Sequence, residues 1–186
     1  MQKRQIIGYL SFDEWERLIS SIPDRHDSTR DYVILRTLYE TGCTVNELAN
    51  IKIKDIDFSR CIIRVPAENS RNHHYREASI SQRLCQALRE IALKNKKSEY
   101  LLYSRQSKSM TTKRIRQIVQ QLCENIGIKN ANPQLLRYTH IAHAYMRNVP
   151  VDAIQKQVGL MRSRAIEIFS QLEIASPKDA YKRFLD

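Results

Sequence analysis

Residues 132–139 read Asn132-Pro133-Gln134-Leu135-Leu136-Arg137-Tyr138-Thr139, and two shorter pieces follow them: Val158-Gly159-Leu160 and Ile168-Phe169. Asn132 is a residue type that caps helices, and Pro133 suits a first helical position, where its missing N–H costs nothing. The pattern predicts a helix from there to about Arg147. Arg137 follows two leucines, so it falls at the edge of an apolar face. An unpaired guanidinium there would be costly, and a phosphate or a carboxylate is expected to satisfy it. Further helices are expected over Val151 to Val158, stopped by Gly159, then over Ser163 to Leu172 and from Ser176-Pro177 to Leu185.

Working upstream, Ser11-Phe12-Asp13-Glu14 has the form of a capping box, and Trp15, Leu18, Ile19 and Ile22 follow at helical spacing until Pro23. Asp31 to Tyr39 reads as a second helix closed at Thr41-Gly42, where glycine fits a left-handed position. Thr44-Val45-Asn46-Glu47 is another capping box. From Ile51 to Ile80 the apolar period changes to two. Cys61 to Val65 and Arg76 to Ile80 read as two strands around a polar tip, Asn69 to His74. Ser81 then caps a helix with Leu84, Leu88 and Ile91. A short apolar piece, Tyr100 to Tyr103, leads into a basic loop. A helix from Thr111 or Thr112 carries Ile115, Ile118, Val119, Leu122 and Ile126 and ends at Gly127. The expectation is a mainly α chain with one small antiparallel β-sheet, an α+β class, in a single domain over residues 1–186.

The chain carries 31 Lys and Arg against 20 Asp and Glu, a net charge of +11. The surplus is segregated. Residues 1–58 hold 8 basic and 10 acidic residues, net −2, whereas residues 59–186 hold 23 and 10, net +13. A basic face points to a phosphate backbone as partner. No apolar run has the length of a membrane span, and no signal-type core follows Met1-Gln2-Lys3-Arg4, so a cytoplasmic, DNA-associated protein is expected. Cys43, Cys61, Cys85 and Cys123 are too scattered for a zinc knuckle, and buried, reduced thiols are expected. His140 and His143 stand i, i+3 on one helix, but with no acid or thiol beside them a packing role is expected, and no metal or cofactor.

Two blocks carry a family resemblance. Thr41-Gly42-Cys43-Thr44-Val45-Asn46-Glu47-Leu48 is similar to the block Thr-Gly-x-Arg-x-x-Glu-Leu of the tyrosine recombinase (phage integrase) catalytic domain, Xer-like. Asn132 to Thr139 resembles its Pro-His-x-Leu-Arg-His-Thr. Val158-Gly159-Leu160 resembles its Leu-Gly-His, nine residues before the nucleophilic tyrosine. The likeness runs from about residue 9 to 172 and implies the DNA breaking–rejoining fold. In the family, two arginines and a histidine grip the scissile phosphate, a hairpin lysine acts as general acid and the tyrosine attacks. Here those positions fall at Thr44, Arg71, Gln134, Arg137, Leu160 and Phe169, of which only Arg137 keeps the family residue.

The resemblance implies a DNA-binding protein that does not cleave. Phe169 has no oxygen with which to attack, and a guanidinium at Arg71 holds its proton at any working pH. Arg71, Arg137, Gln134, Lys108, Lys113, Arg114, Arg116, Arg162 and Arg164 are the candidate contacts to double-stranded DNA, with Arg105 in the same basic loop. Each substituted position also has a structural role to fill: Thr44 as a helix cap with Glu47 as its partner, Leu160 and Phe169 as core, Gln134 as a solvated helix start. Two other functions stay open. One is an active recombinase with a displaced nucleophile, Tyr138, Tyr145 or, best placed, Tyr181. The other is a regulatory partner of a recombinase complex, with residues 176–186 exchanged between protomers as a C-terminal helix. The family's N-terminal core-binding domain is expected to be absent, which would make DNA binding a half-clamp.

Overall fold

The computed structural model describes residues 8–23, 27–70, 73–95, 97–104, 107–161 and 168. Arg71, Arg105, Arg162, Arg164, Phe169 and Tyr181, and the helices expected beyond Met161, lie outside the described residues, Ile168 excepted. In chain order the elements are α1 (Phe12–Ser20), α2 (Ser28–Thr41), α3 (Val45–Asn50), a 3₁₀ turn (Ile53–Asp55), β1 (Ile56–Asp57), β2 (Ile62–Val65), β3 (Arg76–Ser79), α4 (Gln82–Lys94), α5 (Thr112–Glu124), α6 (Pro133–Met146) and α7 (Val151–Val158).

The local signals place most boundaries. Ser11 and Thr44 each form a complete capping box, with Glu14 and Glu47 respectively reaching back to the cap N–H. Ser81, Thr111 and Asn132 cap α4, α5 and α6 through their side chains, with Pro133 at the start of α6. Gly42 and Gly159 close α2 and α7 in the left-handed region, at φ 57° and 67°. Three expectations need correction. Helix α2 begins at Ser28 rather than Asp31. Helix α5 ends at Glu124 with Asn125 as its cap, and Gly127, at φ 86°, lies in the turn beyond. The sheet has three antiparallel strands in the order β1-β2-β3, not two. The stretch after Ile51 is not a long strand, because the Asp55 carboxylate accepts the Lys52 N–H at 3.0 Å and folds Ile53–Asp55 into a turn before β1. Tyr100 contributes only an isolated bridge to Lys52, while Leu101 and Leu102 are buried.

Helix α2 runs through the centre, packed against α4 on one side and α6 on the other. Its Val33, Ile34, Leu35 and Leu38 are fully buried, with Leu48, Ile63, Leu84, Ile115, Leu122 and Leu136 in the same core. A second cluster, Ile141, Ala142, Ile154, Val158 and Ile168, joins α6 to α7. The segment before α1 is tied to α6 by polar bonds. The Leu10 N–H donates to Thr139 Oγ1 at 3.0 Å, and its carbonyl meets His143 Nε2 at 2.8 Å. His143 Nδ1 lies 2.9 Å from the Tyr39 hydroxyl, and Phe12 stacks on the ring at 3.9 Å. Both ring nitrogens are therefore occupied, which fits the packing role expected of this histidine.

Strand β3 is an edge, and α7 covers it. The Gln157 side-chain amide accepts the Ser79 N–H at 3.0 Å and donates to the Ser79 carbonyl at 2.7 Å, as a neighbouring strand would. It also donates to the Glu40 carbonyl at the end of α2, at 2.9 Å. The unpaired edge is thus spent inside the fold rather than left to pair with another chain. All four cysteines are free and buried, and burial pushes the Cys43, Cys85 and Cys123 thiols up to about 11.

The junction of α2 with α7 is tight. A Cβ at Gly42 would stand 2.5 Å from Val158 Cγ1, at a φ that a side chain resists. Gly42→Ala should therefore cost about 2–4 kcal/mol, combining left-handed strain with overpacking. Urea denaturation monitored by circular dichroism measures it, and a loss below about 1 kcal/mol would mean that Val158 gives way easily.

Candidate DNA-binding site

Three helix ends and one strand start meet at a single point. The C-termini of α2 and α7, the N-terminus of α3 and the first residue of β3 converge on the side chain of Arg76. Its Nη1 donates to the Gln157 carbonyl at 2.7 Å and to the Thr41 carbonyl at 3.3 Å. Its Nη2 meets Glu47 Oε2 at 3.3 Å, and both side chains are almost wholly buried, at 7% and 4% exposure. Carbonyls at helix C-termini carry partial negative charge, so the guanidinium satisfies orphan acceptors that the helices cannot satisfy themselves. Gly159 makes room for it: a Cβ there would lie 2.7 Å from Arg76 Cδ. The Arg76 Nε is buried and has no hydrogen-bond partner among the described residues.

Glu47 plays two parts at once. Its Oε2 accepts the Thr44 N–H at 2.7 Å, completing the α3 cap, and also holds Arg76. The carboxylate's charge is therefore committed beneath the surface.

Above this floor lies a hollow of about 520 Å³. Its walls are Thr44 to Glu47 at the start of α3, Arg116 on α5, Asn132 to Tyr138 at the start of α6, Gly159 to Met161 after α7, and Ile168. The sequence-predicted positions Thr44, Gln134, Arg137 and Leu160 are thus brought together, from elements up to 116 residues apart in sequence. Arg116, expected only as a surface contact, belongs to the same hollow. Lys108, Lys113 and Arg114 are exposed and do not line it.

Arg137 is held first by the backbone. Its Nη1 donates to the Gly42 carbonyl, and no carboxylate among the described residues lies within ion-pair distance. Burial disfavours its charged form, Glu47 opposes that, and the neighbouring Arg76 adds to it, so its pKa is lowered from the ordinary arginine value. A guanidinium keeps its charge regardless. Arg137 is therefore a cation held in surroundings that favour a nearby anion.

The neutral groups lining the hollow are biased towards donation. Thr44 Oγ1 accepts the Glu47 N–H at 3.2 Å, and Tyr138 Oη accepts from Gln134 Nε2. Each hydroxyl oxygen being used as an acceptor, its proton remains to donate. The N-terminus of the 14-residue helix α6 adds its positive dipole end. His140, on the same helix, faces a smaller hollow with Tyr39 and His143. Burial, then the charges of Arg137, His143 and Arg76, hold its pKa down at about 4, so at neutral pH the ring is uncharged. Among the described residues no group of three His, Cys, Asp or Glu could hold a metal ion.

Sequence reasoning missed Arg76 as a site residue. Its signal was parity: with β3 alternating, Arg76 shares the inward face with Ala78, while Glu77 and Ser79 face out. An arginine on the buried face of a strand needs partners, and only the folded chain shows which ones.

Comparison with known proteins follows the same outline. The pattern of the Phage integrase family matches residues 8–173. Tyrosine recombinase XerA of Pyrococcus furiosus is 28% identical over 178 residues, covering 94% of this chain and 60% of that protein. Tyrosine recombinase XerC of Staphylococcus carnosus is 24% identical over 163 residues, covering 85% of this chain and 55% of that one. The chain thus spans somewhat over half the length of these relatives. A crystal structure of XerA recombinase superimposes with a TM-score of 0.81 at 26% identity, over all of this chain and 66% of that one. XerH site-specific recombinase, solved in a post-cleavage complex with a palindromic difH substrate, gives a TM-score of 0.82 at 16% identity, over all of this chain and 56% of that one, and shares the fold.

Two outcomes test the site's construction. Arg76→Met should destabilise the chain by about 3–5 kcal/mol, because it strands Glu47 as a buried, unpaired charge. The double variant Arg76→Met/Glu47→Gln should recover part of that loss in the same urea titration. The histidines set a pH dependence. The folded pKa of His140 lies below its unfolded value, so its contribution is present above about pH 6.5 and is lost as pH falls towards 4. Stability should drop on the order of 2 kcal/mol across that window, with His143, also lowered, acting in the same direction. His140→Gln should flatten the urea-midpoint profile between pH 7 and 5.

Proposed function

The chain belongs to the phage integrase family, whose pattern spans nearly all of it, and on that footing we propose that it binds double-stranded DNA at this hollow without cutting it. The observation that carries the reading is the company Arg137 keeps. A guanidinium without a carboxylate partner among the described residues shares its hollow with Thr44, Gln134 and Leu160, the positions that the family resemblance assigns to an arginine and two imidazoles. Phosphoryl transfer needs cations and a proton donor placed where charge develops. Loss of one such donor typically costs about 10²–10³ in rate, and here three positions are neutral. His140 does not replace the lost cation, since it is uncharged well above pH 4 and lines a different hollow. Binding survives these substitutions because it needs only positive charge and donors. Exposed Lys113 and Arg114 near the start of α5, with Lys108 before it, extend the basic surface available to the backbone. That XerH was solved on DNA adds the fold's suitability for a duplex.

A second reading has one observation in its favour: Tyr138, with a hydroxyl on the hollow and Gln134 beside it, stands where a relocated nucleophile would be useful. It would make the chain an active recombinase. The neutral Thr44 and Gln134 weigh against it, because moving a tyrosine does not restore them.

Both readings meet one assay. Wild type should bind a duplex of about 30 base pairs with affinity falling steeply between about 50 and 200 mM salt, and Arg137→Ala should weaken binding about tenfold. No covalent adduct should survive denaturing electrophoresis after incubation with a nicked suicide duplex. An adduct present in wild type and missing in Tyr138→Phe would replace the first reading with the second.

A further inference from the structure

Resting on the reading of the hollow as a phosphate cradle, we propose that Arg116 and Arg137 form a two-cation clamp that closes on one and the same phosphate group. The two arginines reach the hollow from different helices, α5 and α6, rather than from a shared loop. Arg116 is exposed, and among the described residues it is held by its own helix, its Nη1 donating to Thr112 Oγ1 at 3.2 Å one turn earlier. No carboxylate among the described residues lies within ion-pair distance of it. The one carboxylate lining the hollow among the described residues, Glu47, already serves Arg76 and the Thr44 N–H.

The charge of the hollow follows. Arg76 beneath neutralises Glu47, and among the described residues the two lining guanidiniums remain, about +2 in a space of about 520 Å³. Burial already disfavours the charged Arg137, and Arg76 beneath it adds to that cost. An anion between Arg116 and Arg137 relieves it. A phosphate group suits this space because it offers several acceptor oxygens and no donor, matching two planar forks with Thr44 and Tyr138 hydroxyls at the wall. Two separate phosphates of a duplex, one for each arginine, are the alternative arrangement, and it predicts a different outcome.

A double-mutant cycle separates them. Arg116→Ala and Arg137→Ala should each weaken duplex binding by about tenfold in fluorescence anisotropy at fixed salt. The double variant should lose little more than either alone, since one phosphate released by one arm gains little from the other. Arg114→Ala, outside the hollow, should combine multiplicatively with Arg137→Ala, as independent contacts do. Multiplicative losses for Arg116 with Arg137 would overturn the clamp and leave DNA binding at the surface standing. Arg116 is exposed, so its variants test the idea without unfolding the chain, and Arg137→Lys repeats the cycle if Arg137→Ala proves unstable. Inorganic phosphate supplies the independent arm. Against chloride at equal ionic strength it should raise the melting temperature of wild type and of Arg114→Ala but not of Arg116→Ala or Arg137→Ala. Phosphate stabilisation without any duplex binding would retain the clamp and dismiss the DNA reading. Equal responses in all four proteins would dismiss the clamp.

Discussion

A buried ion pair between Arg76 and Glu47 fixes where four parts of the chain stand relative to one another. The guanidinium takes carbonyls at the ends of α2 and α7 and the carboxylate that caps α3, from the first residue of β3. A buried pair of this kind is a weak source of net stability, because both charges were better solvated in water. Its value lies in geometry: carbonyls and a carboxylate that must all reach one planar fork tolerate few arrangements. Gly159 shows the constraint from the other side, since even a methyl group would occupy the space of the Arg76 side chain.

The same pairing leaves the described lining of the hollow with an excess of positive charge. Were Glu47 free, it would neutralise Arg137 and leave the cavity close to balanced. Held by Arg76 and by the Thr44 N–H, it is withdrawn from the surface. Arg137 is then left with a backbone carbonyl, and Arg116 with a threonine hydroxyl. The arginines thereby separate into two kinds. Arg76, beneath, orders the scaffold, whereas Arg137 and Arg116, above, face the hollow and whatever anion comes to it.

On the reading proposed above, the scaffold outlasts the chemistry for a physical reason. Capping, helix closure and core packing do not depend on the identity of Thr44, Gln134 or Leu160 as reagents. Thr44 is a good N-cap whatever else stands in the hollow, and Leu160 packs against the α6–α7 cluster. On that reading, these residue types cost the fold little where the family resemblance implies proton donors and cations. Binding degrades far less than catalysis under such changes, because a phosphate is attracted by net charge, whereas bond breaking needs particular groups at particular places.

The sequence by itself determined the local units: capping boxes at Ser11 and Thr44, the Asn132-Pro133 start of α6, and left-handed closures at Gly42 and Gly159. It also determined the mainly helical class and, through two spaced blocks, the family. These are legible because their causes act within four residues. It left undecided the third strand, where Asp55 turned an alternating stretch into a 3₁₀ turn, and it did not show that the Gly42 carbonyl accepts from Arg137. Only the tertiary structure decided that Arg76 joins Thr41, Glu47 and Gln157, partners 35, 29 and 81 residues away. It alone decided that Arg116 shares a hollow with Arg137 while its neighbour Arg114 does not. Such choices depend on how helices dock, and docking is set by the summed packing of the core, which no short window of residues contains.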